Sequence, residues 1–239
     1  MADTQPTKSA PAGARSGVGA FAGPPITIAI PKGRVLEQLV PRLEAAGLDT
    51  GPLTKRSRKL IRALPPFTHR GGTHPGARFL LLKPDDVPTY VEYGTADIGV
   101  VGRDVLLERD YDLYAPLDLD IGKCRLAVAA MKGATYPPPT SGLLRVATKF
   151  PRVATRHFAQ RGIPAEVIYV QGSVELAPLT GLSDVIVDIV ETGETLRQNG
   201  LEVVEHVADV SSVVIANRVG LKLRRALIAP ILEALDSRG

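Results

Sequence analysis

The chain has one cysteine and no tryptophan in 239 residues. A lone thiol, Cys124, cannot close an internal disulfide, which fits a reducing cytoplasm. Aromatic residues make up 5% of the chain, and no basic strand interleaves them for stacking on bases, which argues against a nucleic-acid binder. No apolar run approaches the ~20 residues that a membrane helix needs. The opening MADTQPTKSAPAGARSGVGAFAGPP lacks the continuous apolar stretch of a signal peptide, and residues 1–24 are expected to be a disordered tail. Also missing are GxxxxGK[ST], GxGxxG between a strand and a helix, HExxH and GxSxG. His69 and His74, in PPFTHRGGTHPGA, have no cysteine or carboxylate near them for a zinc site. His157 is expected on the solvent face of a helix and His206 in a sheet.

What is present is alternation. ITIAI (26–30), RFLLLK (78–83), ADIGVV (96–101), RLAVAAM, RVATK, AEVIYV and DVIVDIV read as strands, RFLLLK and DVIVDIV as buried ones. Between them lie helical patterns: VLEQLVPRLEAAG with a kink or a broken first turn expected at Pro41 and a stop at Gly47, DVPTYVEYG, PRVATRHFAQRG, and SVELAPLTG. EVVEHVADV and SSVVIA read as further strands, and VGLKLRRALIAPILEAL as one closing amphipathic helix. The expected fold class is therefore α/β with largely parallel sheets. The Pro/Gly-rich stretch 65–77 is expected to be a mobile loop. Tyr93–Val100 echoes Thr180–Val187, each reading helix stop, glycine, acid and strand, which hints at two similar lobes facing a shared cleft.

Two segments carry chemistry. KRSRKLIR (55–62) gathers five Lys/Arg within a net charge of only +4, and is either a solvated basic face or a polyanion site. In DVIVDIVETGETLRQNGL (184–201) a strand bearing Asp188 opens into Glu191-Thr192-Gly193-Glu194-Thr195. Small side chains there let backbone N–H groups approach an anion, two hydroxyls can donate to it, and a helix N-terminus follows. Asp188 is placed to accept hydrogen bonds from sugar hydroxyls. Spacing alone leaves two readings open, a ribose-phosphate cradle or a strand-to-helix turn with threonine as N-cap.

The chain resembles the short form of the ATP phosphoribosyltransferase family, which opens histidine biosynthesis. The matching segments are ITIAIPKGRVLEQLVPRLEAAGL, SRKL, DVPTYVEYGTADIGVVGRDVL, DIGKCRLAVA, QGSVELAPLTGLSDVIVDIVETGETLRQNGL and ANRVGLKL, across residues 26–224. The resemblance implies a two-lobed fold similar to periplasmic binding proteins, with the active site in the interdomain cleft. It implies domain I at 25–115 plus 204–239, and domain II at 116–203 with the loop that binds 5-phosphoribosyl 1-diphosphate (PRPP). It implies transfer of the phosphoribosyl group to N1 of ATP with Mg²⁺, the metal's ligands being unassigned. By the same resemblance Glu175, Asp188, Glu191, Thr192, Gly193, Glu194, Thr195 and Leu196 bind PRPP. Lys32, Gly33, Arg34 and Asp97 bind ATP, and Arg34, Arg56 and Arg58 are catalytic cations. It implies a cytoplasmic homodimer that works with a regulatory subunit similar to histidyl-tRNA synthetase, without nucleic acid or membrane. Two departures stand out: the 65–77 stretch is longer than the family's, and Glu194 puts an acid in the cradle, where it must point outward. The rival reading is a binding module of the same architecture without catalysis, because the fold alone does not fix function.

Overall fold

The computed structural model describes residues 25–45, 48–69, 72–137 and 142–236. The expected tail at 1–24 and the helix stop at Gly47 lie outside them. The chain starts with β1 (Ile26–Pro31), α1 (Arg34–Ala45), α2 (Gly51–Thr54), β2 (Ile61–Leu64), β3 (Phe67–His69), β4 (Gly72–His74) and β5 (Ala77–Leu82). A 3₁₀ turn at Pro84–Asp86 leads to α3 (Val87–Glu92), β6 (Ile98–Gly102), α4 (Arg103–Glu108) and β7 (Tyr114–Asp118). Next come β8 (Cys124–Met131), β9 (Leu144–Thr148), α5 (Pro151–Gln160), β10 (Ala165–Tyr169), α6 (Leu176–Leu179), β11 (Val185–Val190) and α7 (Glu194–Gln198). The last elements are β12 (Leu201–Val210), β13 (Ser212–Ala216), α8 (Arg218–Leu223) and α9 (Arg225–Leu235).

These build two lobes, each on its own sheet. The first sheet runs β2-β5-β1-β6-β13-β7 and the second β10-β9-β11-β8-β12. Alternation along β1 explains why the first sheet is covered on both faces. Ile28 and Ile30 meet α1 and α9 through Leu39, Leu43, Ile228 and Ile231, while Ala29 faces Val87, Val91 and Val105 of α3 and α4. In the second lobe Val128, Val146 and Val187 pack on Ala154 and Phe158 of α5, and Ala129, Ala147 and Ile186 pack towards α6 and α7.

The sheets are mixed, not largely parallel. β1 runs parallel to β5 and β6, and β9 to β10 and β11. β2, β13 and β7 are antiparallel to their neighbours, as are β8 and β12. β7, β8, β12 and β13 flank the two crossings between the lobes and return in the opposite sense, while β2 runs against β5 through the connection that contains β3 and β4. The switch of sheet falls at 119–123 and at Ser211, later than the expected boundaries at 116 and 204. Asp118 ties the two crossings together, accepting from the Ser211 hydroxyl at 2.8 Å, from Arg103 Nη2 at 3.2 Å and from the Asp120 N–H at 2.9 Å. Burial alone would raise its pKa, but these donors outweigh burial and hold the carboxyl below its ordinary value. Gly122, with φ +61°, lets the first crossing pass Ser212 where a Cβ would stand 2.8 Å from the serine oxygen.

Several local expectations are corrected. The 65–77 stretch contains the antiparallel hairpin β3–β4. Helix α1 continues through Pro41 without the broken turn expected as the alternative to a kink. Pro41 is exposed, as is Glu37, whose carbonyl loses its partner to the missing N–H and can meet water. The closing segment is two helices broken at Arg224, and Asn217 caps the first by accepting from the Gly220 N–H at 2.7 Å. His157 is buried, because it shares the inward stripe of α5 with Val153, Ala154 and Phe158. It lies 3.2 Å from Glu205 on β12.

Candidate active site

The sequence echo resolves into a repeated joint. The Asp97 N–H donates to Thr27 O at 2.8 Å while its carboxylate accepts from the Thr27 N–H at 2.7 Å. The Asp184 N–H donates to Arg145 O at 2.9 Å while its carboxylate accepts from the Arg145 N–H at 2.8 Å. Each acid thus clasps the neighbouring strand, β1 or β9, where β6 or β11 begins. Asp97 is also gripped by Arg224 Nη1 at 2.7 Å. It stands at the end of its strand remote from the cleft, with its carboxylate spent on structure, so its expected place at ATP is not supported.

At the other ends of these strands the lobes face one another. Carboxyl ends of parallel strands are where open α/β sheets hold ligands. Here β1, β5 and β6 bring in Lys32, Asp85 and Asp104, while β9, β10 and β11 bring in Lys149, Tyr169 and Glu191. One part of the cleft, about 290 Å³, is lined by Lys32, Arg34, Asp104, Lys123, Ile189 and Glu191. A second, about 200 Å³, lies between Asp85, Arg109, Lys149 and Tyr169. A larger groove of about 560 Å³ between α4 and α5 contains none of the expected site residues. Chemistry, not size, selects the cleft.

Arg34 begins α1 and forms an ion pair across the cleft with Glu191, beyond the end of β11. The pair is largely exposed, with side-chain accessibilities of 70% and 44%. The cradle follows at once. Gly193 adopts φ +75°, a left-handed turn that glycine enters at no steric cost and that swings the chain into α7. Thr192, Glu194 and Thr195 are exposed around it. Thr192 Oγ1 accepts from the Glu194 N–H at 3.3 Å, so the turn is partly self-capped. Leu196 is buried in the second lobe's core, which limits its contribution to its backbone. Glu194 is ion-paired with Arg197 and accepts from Gln198 Nε2 at 2.9 Å. Those hydrogen bonds lower its pKa and draw its charge along the helix, away from the loop.

Asp188 is half-buried, with Oδ1 accepting from the Ile189 N–H at 2.8 Å. Burial raises its pKa, the nearby Glu175 charge raises it further, and Lys149 opposes both. Asp104 is also raised by burial, with Lys149 again opposing. Lys149 is therefore the cation the cleft acids share. It sits one residue past β9 and reaches across the lobes to Asp85 at 3.1 Å. Motif reading missed it; its signal was a lysine directly after a buried strand, at the strand's carboxyl end. Arg56 and Arg58 are exposed in the segment before β2, at the same end of the first sheet but two strands from β1, roughly 10 Å by strand spacing.

A latch holds the lobes together beside the cleft. The Glu108 carboxylate, on α4, accepts from the N–H groups of Arg152 and Val153 at the start of α5, each at 3.0 Å. Arg156 on α5 returns a bond to Leu107 O at 2.8 Å. Each lobe thus caps the other's helix. Glu108→Ala is expected to cost about 1 kcal/mol, the usual value of a lost N-terminal cap. It should also enlarge the ligand-free radius of gyration in small-angle scattering; an unchanged scattering curve would show that the carboxylate does not hold the lobes.

Comparison with known proteins follows the same line. Residues 83–237 match the family model for ATP phosphoribosyltransferase (HisG). An ATP phosphoribosyltransferase of Sorangium cellulosum is 57% identical over 212 residues, covering 88% of this chain and 94% of that one. The solved HisG:HisZ complex of Thermotoga maritima matches with a TM-score of 0.72 and 36% identity over 88% of this chain and 96% of its own. The periplasmic sulphonate-binding protein SsuA of Escherichia coli shares the fold at a TM-score of 0.56 and 15% identity, covering 90% of this chain and 68% of its own. The chain belongs to the ATP phosphoribosyltransferase family.

Proposed function

We propose that the chain transfers the 5-phosphoribosyl group of PRPP to N1 of ATP, releasing diphosphate, as the first step of histidine biosynthesis. The observation that carries this reading is the convergence, on one interlobe cleft, of the Asp188–Thr195 cradle from the second lobe and Arg34 from the first. In this reading the cradle's backbone N–H groups and threonine hydroxyls hold the 5-phosphate, and Asp188 accepts from the ribose hydroxyls. The two domains are 25–118 with 212–236, and 124–210, so each brings its own set of strand ends to the substrates.

Adenine N1 carries its own lone pair, so attack needs no strong base. The barrier is loss of the ribose–diphosphate bond, with positive charge growing on the sugar and negative charge on the departing group. Arg34, Arg56 and Arg58 are the cations set against that negative charge, and lobe closure aligns the two substrates. Lys149 joins them from the second lobe.

Phosphoribosyl transfer generally uses a divalent cation, proposed here to be Mg²⁺. Among the described residues no group of three His, Cys, Asp or Glu side chains could hold a metal ion. Mg²⁺ is usually bound mainly by substrate phosphates with one or two carboxylates, and Asp188 and Glu175, whose charges act on each other, are the pair proposed to hold it. When bound, the cation supplies further positive charge to the diphosphate.

The Thermotoga relative is a HisG:HisZ complex. By that likeness this chain is proposed to work with a HisZ-type partner. That the partner is a regulatory subunit similar to histidyl-tRNA synthetase, and that the chain forms a homodimer, are proposed from the family resemblance. Among the described residues no helix is long and apolar enough to cross a membrane, and a cytoplasmic location is part of the proposal.

The test is product mass. Incubation with ATP, PRPP and Mg²⁺ should yield a species heavier than ATP by one phosphoribosyl group, and Gly193→Val, which strains the left-handed turn, should lose it. Binding of a single small metabolite with no product would instead favour the binding module.

A further inference from the structure

Arg62 on β2 has no place in the reading above, yet it makes more hydrogen bonds than any predicted site residue makes in the described structure. Its Nη1 donates to Pro52 O at 2.7 Å, to Lys55 O at 2.7 Å and to Leu53 O at 3.2 Å. Its Nη2 donates to Ser57 O at 2.9 Å, and its Nε to Lys59 O at 3.2 Å. All five acceptors are backbone carbonyls of the 52–59 segment, which leads from α2 through the exposed cations to β2. Arg62 itself is fixed to the sheet, paired in register with the fully buried Phe79.

Electrostatics makes this placement unexpected. Lys55, Arg56, Arg58 and Lys59 surround a fifth cation, and like charges crowded in one loop repel. The arrangement persists because five carbonyl dipoles point inward at a single guanidinium. Turning the carbonyls inward leaves the Arg56 and Arg58 side chains exposed, at the sheet end that faces the cleft.

We infer that Arg62 is a positioning residue: its guanidinium sets the 55–59 loop in advance so that Arg56 and Arg58 meet the substrates' phosphates without first being ordered. This rests on the reading that those two arginines face substrate. Only arginine offers five N–H donors in a planar fork, whereas lysine keeps the charge but concentrates three donors at one point. Arg62→Lys therefore separates geometry from charge.

The loop contains four tryptic sites, at Lys55, Arg56, Arg58 and Lys59, so its order can be read without activity. In Arg62→Lys, nicking of the folded chain at these sites is expected to rise about tenfold relative to wild type. With two arginines to immobilise on binding, KM is expected to rise about tenfold while kcat stays within about twofold. Wild-type nicking and wild-type KM in a folded Arg62→Lys chain would overturn the inference. Should that variant melt, the wild type decides: bonds from Arg62 predict slow cutting at 55–59 despite the four basic residues, and rapid cutting there would overturn it. Arg58→Ala separates the two levels. An unimpaired Arg58→Ala, with its partner Arg56→Ala also unimpaired, would refute the substrate-facing reading and the positioning role with it. An impaired Arg58→Ala beside an unaffected Arg62→Lys would refute the positioning role alone.

Discussion

Arg34→Ala is expected to lower turnover by about 10²–10³-fold, the usual loss when one fixed charge opposite a developing anion is removed, while the fold stays intact. Arg34 sits at the first position of α1, its side chain is 70% exposed, and its ion partner is Glu191 across the cleft. An exposed pair of this kind contributes only about 0–1 kcal/mol to stability, so the melting transition should barely move. The same exposure leaves the guanidinium able to exchange Glu191 for a diphosphate arriving between the lobes. Arg34→Lys should recover part of the loss, because it restores charge without the planar fork. The check is kcat at saturating ATP and PRPP, paired with a thermal melt. Near-wild-type kcat in Arg34→Ala would remove this residue from the reaction.

Asp188→Asn is expected to give opposite signs for activity and stability. Burial lifts the folded pKa of Asp188 above the unfolded value of 3.8, helped by Glu175. The folded chain then binds this proton more tightly than the unfolded chain. Its ionised carboxylate is a net burden at every pH above both pKa values, and that burden disappears below about 3.8. Stability due to this group therefore falls as pH rises from the unfolded pKa to the folded one. Asparagine is neutral throughout and can still accept from the Ile189 N–H, so the variant should melt higher at neutral pH and lose that part of the pH dependence. Activity should fall, because a charged acceptor for the ribose hydroxyls has gone. A charge-assisted hydrogen bond contributes about 1.5–3 kcal/mol, or roughly 10–100-fold in kcat/KM for PRPP. A variant that melts lower, or that keeps full kcat/KM, would contradict the assignment. Raised stability with lost function is a common trade at binding sites.

Much of this was legible in the sequence where burial is continuous. β1, β5, β6, β8, β9 and β11 are short apolar runs, and such runs reveal themselves because both faces of the strand are covered. The turn after β11 was legible for another reason: Gly193 and the threonines mark a geometry that few other residues permit. What failed depends on distant partners. β2 reads as IRAL with three of its four residues at least partly exposed, and β7 as YAPLD with a central proline, so neither shows its pairing locally. The antiparallel strands at the crossings, β7, β8, β12 and β13, pair with partners that no window of sequence contains. Asp97 looked functional because it stands in a motif, but Asp184 in the matching position makes the same strand clasp, and the pair reads as architecture. Lys149 of the second lobe meets Asp85 of the first, and Glu108 of the first lobe meets the start of α5 in the second, contacts between distant residues that show only in the folded chain. His157 is a different kind of miss: Val153, Ala154 and Phe158 already marked the buried stripe it belongs to.

Diphosphate release by the full chain with Mg²⁺, measured while leaving out one substrate at a time, separates the transferase from the binding module. The expected result is release only when ATP and PRPP are present together, and its loss in Arg34→Ala and Asp188→Asn chains that remain folded. Release from PRPP alone at the same rate, or no release from a folded chain with or without a histidyl-tRNA-synthetase-like partner, would contradict it.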